Sequence, residues 1–99
     1  MTAEEKKVFQ RKAYAANRPR RIPDGAGGWE TIQPLPRLTY HDIEIVYLRT
    51  GGICMWCRIF AGLAGTLEHV KRIAAGGTNE MTNLDWACKR CNEKGYYRD

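Results

Sequence analysis

Cys54-Met55-Trp56-Cys57 and, thirty residues further on, Cys88-Lys89-Arg90-Cys91 hold every cysteine of this chain. Inside and just after that frame lie Glu68-His69-Val70, Gly76-Gly77, Asn83-Leu84, Asn92 and Lys94. A CxxC turn lets two sulfurs point at one ion, and four thiolates at about 2.3 Å close the tetrahedral shell of a structural zinc. Two such turns from distant parts of the chain clamp whatever lies between them. The enclosed segment is longer than that of a simple zinc ribbon, long enough for a strand pair and a working loop. A closed four-sulfur shell has no open position, so any chemistry belongs to the residues inside the frame. Redox-active cysteines are the alternative, but the βαβ surroundings expected of them are missing.

Within the frame, Thr66-Leu67-Glu68-His69-Val70 alternates as a short strand. Leu84-Asp85-Trp86-Ala87 is its expected partner, reached through the Gly76-Gly77 loop. About residues 88–96 read as a helix. Consecutive strand residues point to opposite faces, so Glu68 and His69 address one point only where the strand ends or bulges. On the helix, Cys91 and Asn92 lie roughly 100° apart around the axis. Cys91 can therefore face zinc while Asn92 turns to the strands. Carboxylate and amide oxygens are hard-cation ligands, which makes Glu68 and Asn92 candidate holders of a second, divalent ion. The neighbouring imidazole of His69 is a candidate proton acceptor.

Upstream, Thr39 caps an expected helix with Asp42 at the third position, and Ile43, Val46, Tyr47 and Thr50 recur at helical spacing until Gly51-Gly52 stops it. Residues 18–37 contain all four prolines and a glycine cluster and read as a linker, with Trp29 and Ile32 as candidate anchors. Thr2-x-x-Glu5 is a capping box opening a helix over about residues 3–16, ended by Arg18-Pro19. Its apolar stripe (Val8, Phe9, Ala13, Ala16, with Lys12) is thin, so weak docking, or ordering on a partner, is expected. The division expected is 1–38, a basic helix and Pro/Gly-rich linker, and 39–99, the catalytic domain.

Ninety-nine residues make one domain at most, and so small a core benefits from a metal staple. No apolar run is long enough to span a bilayer or to serve as a secretory signal, so a soluble, intracellular protein is expected. In that reducing setting paired cysteines favour metal over disulfides. The net charge of +5 is concentrated: residues 1–22 carry seven basic side chains against two acidic, while the remainder balances. A basic arm suits a polyanion such as nucleic acid; a solvated helix face is the bland alternative. Trp56, Trp86 and Leu84 read as core, His41 as solvent-facing, and Tyr96 and Tyr97 as helix packing or tail.

The ordered set Glu68-His69-Val70, Gly76-Gly77, Asn83-Leu84, Cys88-x-x-Cys91-Asn92-x-Lys94 resembles the HNH nucleases of the small four-cysteine, zinc-bearing kind, over residues 51–95. The resemblance implies an α+β chain with a small ββα-metal (His-Me finger) core stapled by a four-cysteine zinc site and preceded by one or two N-terminal helices. It implies metal-dependent hydrolysis of DNA phosphodiester bonds, by nicking or double-strand cleavage, leaving 5′-phosphate ends. His69 then takes the place of the general base. Asn83 takes that of the middle asparagine, which ties the loop and helps orient the base. Glu68 stands where the acidic metal ligand is more often aspartate, and Asn92 where many members have histidine. Magnesium, or Mn²⁺ or Ni²⁺, is the implied catalytic ion. Arg72 replaces a frequent proline and Ala74 a common serine. Lys71, Arg72, Lys89, Arg90 and Lys94, together with Arg18, Arg20 and Arg21 of the arm, are the candidate nucleic-acid contacts. The implied partner is DNA, double-stranded, with no membrane. A homodimer or a larger phage or mobile-element complex is open to it, in the cytoplasm of a bacterial cell or a phage-infected host. The rival reading is a catalytically inactive, zinc-stapled nucleic-acid-binding module; a redox or zinc-storage protein would need none of the residues between the cysteines.

Overall fold

A computed structural model describes residues 1–94. Its elements, in chain order, are helix α1 (Ala3–Asn17), strands β1 (Arg20–Pro23) and β2 (Trp29–Ile32), helix α2 (Tyr40–Thr50), strands β3 (Thr66–His69) and β4 (Leu84–Ala87), and helix α3 (Lys89–Lys94). Short 3-10 turns at Gly62–Ala64, Ile73–Ala75 and Met81–Asn83 join them. Both expected capping boxes are formed. Thr2 with Glu5 opens α1, Thr39 with Asp42 opens α2, and Gly51 closes α2 in the left-handed conformation at φ 67°. The fold class is α+β as expected. The expected helix through residue 96 is seen from Lys89 to Lys94; the reading of Tyr96 and Tyr97 lies outside the described residues.

β3 and β4 pair antiparallel, with Leu67 opposite Trp86, Glu68 opposite Asp85 and His69 opposite Leu84. The pleat therefore gives the ribbon two different faces. On one, Leu84 and Trp86 join Ile43 and Val46 of α2 and Phe9, Ala13 and Ala16 of α1 in the main core. On the other side a second, smaller cluster gathers Cys54, Ala87 and Cys91, flanked by Trp56 and Cys88. Trp86 is fully buried, edge-on to Tyr47 at 5.3 Å, and its indole N–H donates to Gly62 O at 2.9 Å. Arg49, at the end of α2, donates to the carbonyls of Met81 and Leu84 and fastens the start of β4.

Two expectations about the N-terminal third are corrected. Helix α1 docks fully: Phe9, Ala13 and Ala16 are 2–5% exposed, and the Phe9 ring sits 5.7 Å from that of Tyr47. The stripe suffices because its alanines let the backbones approach while Phe9 fills the gap. Lysine stems cover its edges, Lys6 over Tyr40 at 4.7 Å and Lys12 over Trp86 at 5.4 Å. Residues 18–37 are more than a linker. They form the β1–β2 hairpin, and the Asn17 side chain then clamps Leu38, donating to its carbonyl at 2.7 Å and accepting from its N–H at 2.8 Å. Trp29 is no anchor; it is 61% exposed and lies under the Arg21 guanidinium at 5.5 Å. Because α1 belongs to the common core, Phe9→Ala is expected to lower unfolding stability by about 3 kcal/mol, the usual cost of truncating a buried phenylalanine. Denaturant melts read it; an unchanged midpoint would return α1 to the status of a loose arm.

Candidate active site and metal centre

The zinc frame is preorganised by two turns. Cys54 and Cys57 sit on the knuckle after α2, and Cys88 and Cys91 span the start of α3. Their four sulfurs lie within 4.8 Å of one another, and Cys57 Sγ is 3.8 Å from Cys88 Sγ. A tetrahedron with about 2.3 Å metal–sulfur bonds has edges of about 3.8 Å. The donor set thus fits one zinc ion. N–H groups point inward as well: Trp56 N–H to Cys54 Sγ and Cys91 N–H to Cys88 Sγ, each at 3.4 Å. Burial works to raise the Cys54 thiol, but N–H groups of Cys57, Cys88 and Trp56 and the Cys57 sulfur outweigh it and hold it at about 6. Cys91 is pushed up to about 12, first by burial and then by the sulfurs around it. Metal uptake must displace that proton, so zinc affinity rises with pH.

Glu68 and Asn92 are brought together across elements. Glu68, 2% exposed on β3, accepts from the Asn92 side-chain N–H of α3 at 3.0 Å. That contact follows from the helical offset: Cys91 turns to the sulfurs and Asn92 to the strand. The Glu68 carboxylate and the Asn92 amide are the groups there that could hold a hard cation.

His69 ends β3, and the pleat sets it on the Leu67 side rather than the Glu68 side. Its Nε2 lies 2.6 Å from Oδ1 of Asn79, a residue with no exposed surface. The sequence reading did not single out Asn79. After Gly76-Gly77 an asparagine reads as an ordinary turn residue, and nothing local marks its burial. Asn83 bonds to the backbone across the loop. Its Oδ1 accepts from Lys71 N–H at 2.8 Å, and its amide donates to the carbonyls of Lys71 at 2.9 Å and Thr78 at 2.8 Å. The contact to the ring comes from Asn79. The glycines make this loop possible: Gly76 is at φ 93°, and a Cβ on Gly77 would collide with the carbonyl of Lys71.

Two hollows meet at His69. One, of about 470 Å³, runs between α1 and β3 and is lined by Arg11, Lys12, Arg20, Leu67 and His69 among others. The other, of about 270 Å³, is bordered by Arg20, Arg21, His69, Arg72 and Ala74. Arg20, Arg21 and Arg72 thus share a hollow with His69. Arg11 and Lys12 are added by the structure. Lys12, half-buried, donates to Gly65 O at 2.5 Å, and burial, then Arg11, lowers its pKa. Arg18 lies apart, beside Tyr14, Gln33 and Arg37. Lys71 is exposed on the loop; Lys89, Arg90 and Lys94 are exposed on α3, with Lys89 4.0 Å from Glu93. His41 is solvent-facing as expected and pairs with Glu44 at 3.0 Å.

Strand, strand and helix around a four-sulfur site define a ββα-metal unit. The HNH endonuclease family model matches residues 54–98, a little under half of the chain. The matched stretch contains the four cysteines placed for one metal ion. No curated protein and no solved structure matches it. A match to this family model suggests nuclease activity on a nucleic acid. Among the described residues no helix is long and apolar enough to cross a membrane.

Proposed function

We propose that the protein is a metal-dependent DNA endonuclease in which His69 is the general base and Glu68 with Asn92 holds one divalent cation. The observation that carries this reading is the position of His69. It borders two basic hollows, while its sequence neighbour Glu68 is paired with Asn92 on the other side of the strand. Phosphodiester hydrolysis is an in-line displacement, with attack and departure on opposite sides of phosphorus. A phosphate lodged across the end of β3 would meet the base on one side and the carboxylate–amide pair on the other.

A divalent cation (Mg²⁺, with Mn²⁺ or Ni²⁺ as substitutes) held by Glu68 and Asn92 would supply positive charge to the reacting phosphate. The chain does the rest. His69 accepts the proton of the attacking water. Glu68 gains one methylene of reach over the usual aspartate. Asn92 exchanges its N–H contact for an oxygen contact. Asn83 holds the loop that follows the base. Arg20, Arg21 and Arg72 grip flanking phosphates by charge, without reading bases. Lys71, Lys89, Arg90, Lys94 and Arg18 serve as outer contacts along duplex DNA. Residues 1–38 then supply substrate contacts and residues 39–99 the chemistry, a division of task within one core. Each chain offers one site, so cutting both strands takes a homodimer or two visits.

A supercoiled-plasmid assay with Mg²⁺, Mn²⁺, Ni²⁺ or chelator tests the reading. Nicked circles are expected with divalent ions and none with chelator. Retarded but uncut plasmid under every ion would mean a zinc-stapled binding module instead.

A further inference from the structure

We infer that Asn79 is a positioning residue that locks His69 as the Nε2–H tautomer and so leaves Nδ1 as the nitrogen that accepts a proton. The tautomer stands on the structure; its use on water rests on the nuclease reading above. Asn79 is pinned at its backbone, where its N–H donates to Leu35 O at 2.8 Å. Its side-chain amide meets the carbonyl of Ala16 at 3.1 Å. A backbone carbonyl only accepts, so the NH₂ end of the amide must face Ala16. The oxygen end therefore faces the imidazole, at 2.6 Å. That oxygen also only accepts, so the ring nitrogen opposite it, Nε2, must carry hydrogen. A neutral imidazole has a single N–H, and its other nitrogen, Nδ1, keeps the lone pair. Asn83 does not compete for this role, since its amide is used on the backbone of Lys71 and Thr78. The chain of contacts runs from the C-terminal turn of α1 through Asn79 to the ring. The N-terminal helix thereby helps set the atom that does chemistry.

The test is imidazole nitrogen NMR on the full-length, zinc-loaded, ¹⁵N-labelled chain at a pH where the rings are neutral. His41 is the only other histidine, so His41→Asn assigns the signals. The parent should show His69 as Nε2–H. Asn79→Ala should give a mixture of tautomers and lower plasmid nicking roughly tenfold or more, with DNA affinity unchanged. Asn79→Asp, which keeps an acceptor, should restore the tautomer. An Nδ1–H ring in the parent, or an undiminished Nε2–H ring in Asn79→Ala, overturns the inference. Should Asn79→Ala fail to fold, by zinc content and circular dichroism, the parent and Asn79→Asp decide. Loss of the Nε2–H ring in a folded Asn79→Asp also overturns it. If the tautomer is as inferred but the parent cuts nothing, the inference stands and the nuclease reading falls. Nicking by an Nδ1–H ring would do the reverse.

Discussion

His69→Ala is expected to cut plasmid nicking by at least about a hundredfold while leaving DNA binding within a factor of about two. General-base removal ordinarily costs about 10²–10⁴-fold. The residues expected to grip phosphate, Arg20, Arg21 and Arg72, border the same hollow as the ring. His69 is also only partly buried at the end of β3, so its truncation leaves the core around Trp86 intact. Rate and affinity should therefore separate: single-turnover nicking measured beside gel-shift titrations, both with Mg²⁺. A variant that nicks at the parental rate would remove His69 from the chemistry. A variant that loses binding to the same extent as nicking would make it a contact residue.

Cys88→Ser is expected to unfold the C-terminal half and release the bound zinc. A zinc ion on the four sulfurs would close a frame whose own apolar cluster is small, comprising Cys54, Ala87 and Cys91 with Trp56 and Cys88 at its edge. Structural zinc in small domains contributes about 10–16 kcal/mol, as much as the whole stability of a domain this size. The loss should spread to catalysis, because Asn92, which reaches Glu68, follows Cys91 directly on α3. Circular dichroism and zinc content should fall together, and chelation of the parent at low pH should mimic the variant, since acid favours the protonated Cys91. A Cys88→Ser protein that melts cooperatively at the parental temperature would show that the sulfurs are not a staple.

Much of the site could be read from spacing. Cysteine pairs at CxxC separation, a histidine ending an alternating run and an asparagine one step past the last cysteine are local patterns, and local geometry fixes what they can face. The two capping boxes and Gly51 likewise act within a few residues, so α1 and α2 begin and end where the sequence says. What escaped depended on long-range packing. The burial of Phe9 against Tyr47 cannot be inferred from a thin stripe, because the partner surface lies 38 residues on. The β1–β2 hairpin hid behind prolines and glycines that also suit a linker; Asp24 fixes its turn by accepting from Ala26 and Gly28 N–H groups. Asn79 escaped for the same reason: its partners, Ala16, Leu35 and His69, come from three different stretches.

The most direct test of a cation and an imidazole converging at the end of β3 is manganese-induced broadening of the His69 ring signals in the zinc-loaded chain. Substoichiometric Mn²⁺ should broaden His69 strongly and spare His41, which pairs with Glu44 on α2, and Glu68→Ala should abolish the effect. His69 signals that stay sharp, or broaden equally in Glu68→Ala, would contradict the account.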